Sequence, residues 1–277
     1  MTNMTKLAAV AALVLCSATP AFAGHGGSSA LINQAVASGS TDAIIAEVEK
    51  TESLICEDCM TTVTSLVHDN RYAVREVAAW WIAKRPGLMN TMATQFVGDL
   101  ANGDANTTRD AADFLGAVRY YNALPALQTA MTRSSLTVEA KLSIVHAVGY
   151  MAHVKGNPTL QIAMGDASPQ VRAAAVKVYR DVLNQTDMSP VQARLGDTDA
   201  SVRAEAAAGM GAFAVRSAVP VLIQLVTQDK DSTVRRNAAW ALGKIGDGSA
   251  RAALVTASGD SSPLVRGVAK AAISSLR

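Results

Sequence analysis

One short motif returns along this 277-residue chain, and it constrains the fold more than any other feature. Its clearest copy is Val234-Arg-Arg-Asn-Ala-Ala-Trp-Ala-Leu-Gly243-Lys-Ile-Gly246. That copy overlays segments beginning at Val74, Val171, Val202 and Val265, and degenerate copies begin at Thr107 and Ala140. The second position of the motif then falls at 75, 108, 141, 172, 203, 235 and 266, always 31 to 33 residues apart. A fixed period of this length marks a stack of identical supersecondary units, none of which can bury its apolar side alone.

Within a copy, small or apolar residues occupy offsets 0, 4, 5, 7 and 8 from the first position. That spacing is one face of an α-helix. A second apolar helix precedes each copy, as in Leu88 to Val97, Leu124 to Met131 and Val219 to Val226. Pro125 and Pro220 sit near its start, where a missing N–H costs least. Turns carrying Asp69, Asp166, Asp197, Asp229 or Asp231, and Asp260 join the two helices and supply caps. Aromatic residues make up only 4% of the chain, and no run alternates as a strand does. The expected fold is all-α, a right-handed α-solenoid of about seven stacked helix-turn-helix units over 41–277.

The pattern Asp-x-x-Val-Arg-x-x-Ala-Ala-x-Ala-Leu-Gly resembles HEAT repeats of the short phycobilisome-lyase type. The likeness covers about residues 52–277. It implies that the recurrent Arg75, Arg172, Arg203, Arg235 and Arg266 pair with turn aspartates as a structural ladder between units, and it says little about function, because scaffolds, lyases and metal-dependent hydroxylases share the repeat. The hydroxylases use His-Glu dipeptides as ligands, and none of the four histidines here is followed by Glu.

Offsets 2, 3, 6 and 10 of the second helix are not fixed by packing, so they are expected to line a concave surface. Offset 6 reads Trp80, Asp113, His146, Lys177, Ala208, Trp240 and Ala271. Aligned tryptophans suit the anchors of a protein interface, and Glu76, Lys84, Arg109, Asp110, Tyr150, Arg236, Asn237 and Lys244 stand around them. The alternative is that each Trp fills a gap beside Ala-rich neighbours. His146 and His153, with Tyr150 between them, are spaced to share a helical face, a weak metal signal without a carboxylate.

Cys56-Glu-Asp-Cys59 admits three readings: a local disulfide, a redox or partner-linking thiol pair, or a metal site joined by His68. Haem attachment is excluded because Met60 stands where His is required. No nucleophile elbow, phosphate-cradling loop or paired catalytic carboxylate is present, and no cofactor is implied.

Residues 1–23 read as a signal peptide: an apolar run Leu7 to Cys16 followed by Ala21-Phe-Ala23, with Gly24 the new N-terminus. The run is too short to span a bilayer, which takes about 20 residues, and Leu15 before Cys16 argues against lipid attachment. A periplasmic or secreted protein is expected, with 24–40 as a flexible N-terminus. Twenty-five basic against 23 acidic residues give no clustered excess of positive charge for nucleic acid. The sequence therefore points to an exported scaffold or adaptor for a protein partner. The alternative is a lyase-like, thiol-redox or metal-binding accessory factor using the cysteine pair.

Overall fold

A computed structural model describes residues 28–54 and 56–276, and these are helical throughout, without strands. The helices come in pairs. A row of first helices comprises α1 (Ser29–Ser38), α3 (Cys59–Leu66), α5 (Pro86–Asn102), α7 (Leu124–Met131), α9 (Asn157–Ala163), α11 (Ser189–Gln192), α13 (Val219–Gln228) and α15 (Arg251–Ala257). The row of second helices comprises α2 (Thr41–Lys50), α4 (Tyr72–Ala83), α6 (Ala105–Ala117), α8 (Val138–Met151), α10 (Pro169–Asp181), α12 (Ala200–Ala212), α14 (Ser232–Ile245) and α16 (Pro263–Ser275). Each second helix packs on its own first helix and on the second helices before and after it, which makes the molecule an α-solenoid.

The described residues hold eight pairs, one more than the motif count, because α1 and α2 carry no Val-Arg signature. Residues 29–38, expected to be flexible, are helical. Ser28 caps α1 by accepting from the Leu31 N–H, and Gly39 closes it in the left-handed region at φ 72°. Ile32 and Ala35 are buried there, and Ile44 and Val48 are buried in α2, so this pair covers the apolar side of α3 and α4. The signal-peptide reading, and residues 24–27, lie outside the described residues.

The motif offsets explain the core. Val74, Ala140, Val171, Val202, Val234 and Val265 at offset 0 are all fully buried, as are the alanines at 78, 111, 206, 238 and 269. Offset 9 is glycine in four copies, and in three of them the reason is close contact with the Cα or Cβ of the next unit, Gly149 facing only the Val178 side chain. A Cβ on Gly116 would lie 2.6 Å from the Ala147 Cα, one on Gly211 2.6 Å from the Ala241 Cα, and one on Gly243 2.7 Å from the Ala272 Cβ. Only glycine lets α6 approach α8, α12 approach α14, and α14 approach α16 so closely.

Candidate functional site

Ladder arginines and turn aspartates tie successive units together. Arg172 Nε and Nη2 donate to Asp197 at 2.9 and 2.7 Å, Arg203 to Asp229 at 2.7 and 2.9 Å, and Arg235 to Asp260 at 2.7 and 3.0 Å. Each Nη1 returns to carbonyls of its own turn, as Arg172 does to Asp166 and Ala167. Arg266 makes the same carbonyl contacts, to Asp260 and Ser261. Lys141 takes the place of Arg and holds Asp166 at 2.6 Å. The aspartates are doubly used: Asp197 Oδ1 also accepts from the Asp199 N–H, and Asp229 Oδ1 from the Asp231 N–H. Asp231 itself caps α14.

Toward the N-terminus this ladder departs from the expected pairing. Asn102, the last residue of α5, stands where the units from α10 onward carry the turn Asp, so Arg75 turns to Asp113 on α6, at 2.9 Å from Nε and 2.6 Å from Nη2. Asp69 gives Arg75 only its carbonyl and spends its carboxylate on Arg71. Arg75, Arg109, Asp110 and Asp113 form a buried charge cluster, each no more than 6% exposed. Arg109 donates to Asp110 at 2.8 and 2.9 Å and reaches Glu139 at 3.3 Å. His68 Nδ1 lies 3.1 Å from Asp110 Oδ2. Burial drives the Asp113 carboxyl above the ordinary carboxylate range, against the pull of Arg75 and Ser143. Arg109 and Asp113 are thus corrected from exposed partner contacts to internal ties, because α6 is wedged between α4 and α8.

The remaining offset-6 residues form an accessible row. Trp80 and Trp240 are 47% and 37% exposed, and His146, Lys177 and Ala271 are exposed between or beyond them. The face they share curves inward between α4 and α8. Neighbouring helix axes lie about 8–10 Å apart, so these two helices are about twice that distance from each other. Yet Tyr72 Oη and Tyr150 Oη meet at 2.7 Å, and Tyr150 donates to Glu76 Oε1 at 2.7 Å. Burial, with the neighbouring Glu76 carboxylate, raises both phenols above the ordinary tyrosine value, although for Tyr150 the hydrogen bond with Tyr72 works the other way. Beside this clasp lies an open cavity of about 660 Å³, lined by Tyr72, His146, Gly149, Tyr150, Lys177, Val178 and Asp181.

Other expected contacts are only partly available. The Asn237 amide donates to the Ala204 carbonyl of α12 and its oxygen accepts from Arg236, so both side chains are half-committed. Trp240 lies against Gly211, with the Lys244 Nζ 5.7 Å from its ring centroid. Lys84 pairs with Glu52 at 3.2 Å. His153 does not share the face of His146: α8 ends at Met151, Ala152 turns the chain at φ 47°, and the His153 ring accepts from the Lys155 N–H. Cys56 and Cys59 are joined as a disulfide, with Cys59 fully buried at the start of α3. No group of three or more His, Cys, Asp or Glu among the described residues is placed to hold a metal, and none of their helices is long and apolar enough to cross a membrane.

Comparison with known proteins agrees with this architecture. No curated protein sequence matches the chain. The Escherichia coli protein YibA superposes with a TM-score of 0.58 at 16% identity, over 88% of this chain and 90% of its own. Kap95p, which binds RanGDP, gives 0.60 at 14% identity over 88% of this chain but only 38% of its own. The CpcE and CpcF phycocyanin lyase of Nostoc gives 0.38 at 17% identity, over 93% and 98%, too loose a superposition to argue from. Such identities speak for the fold alone. Residues 188–275 match the model of HEAT repeats, and the same motif and helix pairing run through the units before them, so the described residues form one α-solenoid whose C-terminal units are of HEAT-repeat type.

Proposed function

We propose that this protein is an exported scaffold that holds a segment of a protein partner along the inner face of its second helices. The observation that carries the reading is the row Trp80, His146, Lys177 and Trp240, which stays accessible in the stacked units although the Trp240 ring also rests on Gly211. Large aromatic side chains on a rigid, inward-curving face supply contact area with little ordering cost. Kap95p, which shares this architecture, binds another protein, in keeping with such a use. Export is supported by the Leu7 to Ala23 pattern, and Edman sequencing of the protein from its native host is expected to begin at Gly24.

The test is capture from that host with the wild-type chain and with a Trp80→Ala, Trp240→Ala variant of unchanged melting temperature. A partner retained by the first and lost by the second supports the reading; equal retention refutes it. In the thiol alternative an incoming thiolate would have to attack at Cys56, which is partly exposed, because Cys59 is fully buried.

A further inference from the structure

The two aligned tryptophans differ in what lies over their rings. Lys244 follows Trp240 by one helical turn and lies over it. Lys84 has the same relation to Trp80, yet its ammonium is drawn away to Glu52, and none of the cations found over aromatic rings among the described residues is over Trp80. Beside Trp80, between α2 and α4, is a cavity of about 310 Å³ with Val48, Val77 and Trp81 as walls and Glu49 and Glu52 as its charged members. Glu49 is exposed, and no ion pair among the described residues engages its carboxylate.

Each part of this arrangement favours the same ligand. An aromatic face attracts a cation through its quadrupole, an unpaired carboxylate adds Coulomb attraction, and apolar walls take up a methylene stem. The geometry points to a pocket for a cationic side chain, an aliphatic stem ending in ammonium or guanidinium. That its donor is a protein partner rests on the scaffold reading above; the pocket itself does not. Trp240 is the internal control, because its ring already carries Lys244.

The experiment uses the full chain and N-acetyl-lysine methylamide as probe, with N-acetyl-norleucine methylamide as its uncharged counterpart. The indole N–H resonances of Trp80, Trp81 and Trp240 are followed by NMR. The Trp81 indole, engaged with Thr51, is itself a wall of the cavity, so Trp240 alone serves as the reference. The lysine probe is expected to move the Trp80 signal to saturation and leave Trp240 nearly still. Glu49→Gln, an exposed substitution, is expected to weaken this binding about two- to fivefold. An unmoved Trp80, an equal response to the norleucine probe, or indifference to Glu49→Gln overturns the pocket. Saturable lysine binding alongside a partner captured equally well without Trp80 and Trp240 keeps the pocket and removes the scaffold face.

Discussion

Replacing glycine by alanine in a helix ordinarily stabilises it by about 0.5–1 kcal/mol, because the backbone entropy lost on folding is smaller. Gly98 in α5 and Gly267 in α16 have nothing within 4 Å of where a Cβ would stand, so alanine there keeps the whole gain. Gly116 does not. Its Cβ would lie 2.6 Å from the Ala147 Cα and 2.9 Å from the Ala147 Cβ, so α6 and α8 must separate by about 1 Å to restore ordinary contact. Overpacking of that kind costs about 1–3 kcal/mol, and the net for Gly116→Ala is a loss of about 1–2 kcal/mol. Gly243→Ala, against Ala272, falls in the same class. With about 2–4 °C per kcal/mol for a chain of this size, differential scanning calorimetry is expected to show Gly98→Ala melting about 1–4 °C higher and Gly116→Ala about 2–8 °C lower. Equal shifts of one sign in both would refute the claim that offset 9 is glycine because neighbouring units touch there.

Asp113→Asn leaves Arg75 buried without its closest anion and is expected to cost about 3 kcal/mol in urea unfolding. An Arg75→Met, Asp113→Leu double variant is expected to recover most of it, and failure to recover would show the pair doing more than satisfying itself. Ala152→Gly and Ala214→Gly occupy the left-handed position that Gly246 fills in its own unit, at φ 47° and 49° against 72°. Each is expected to add about 0.5–1 kcal/mol, whereas a lowered melting temperature would deny strain at these caps. Burial is the largest single influence on Asp197 and Asp229 and pushes both up, but the hydrogen bonds from Arg172 and Arg203, the Asp199 and Asp231 N–H groups and the charge of the nearby arginines together outweigh it and hold both below the ordinary 3.8. Asp260 is held there chiefly by Arg235. Carboxylates depressed in the folded state bind protons more readily when unfolded, so this stabilisation stands above pH of about 3.8 and is lost as pH falls below it. Acid titration followed by circular dichroism is expected to lose the C-terminal units in that window; a flat response down to pH of about 2 would contradict the ladder.

The register of units was legible because packing between second helices demands the same side chains every 31 to 33 residues. The first pair escaped notice because α2 carries neither the motif Arg nor the turn Asp that mark the other units. Its signals were weaker ones, the Ser28 and Ser40 caps and the spacing of Ile32 with Ala35 and Ile44 with Val48. Reading offsets 2, 3, 6 and 10 as free surface placed Trp80, His146, Lys177 and Trp240 in accessible positions. It failed at Arg109 and Asp113, where the rule assumes that Arg75 finds its aspartate in the next turn. Asn102 was the available clue, since a missing turn carboxylate obliges the arginine to seek another. The Tyr72, Glu76 and Tyr150 clasp depends on curvature across two units, which no local pattern encodes.

Hydrogen–deuterium exchange of the chain with and without its captured partner tests the central claim most directly. The account predicts slowed exchange in α4, α8, α10 and α14, with α3, α5 and α13 unchanged. Protection confined to the first helices, or to the disulfide loop around Cys56, would place the binding surface elsewhere and contradict it.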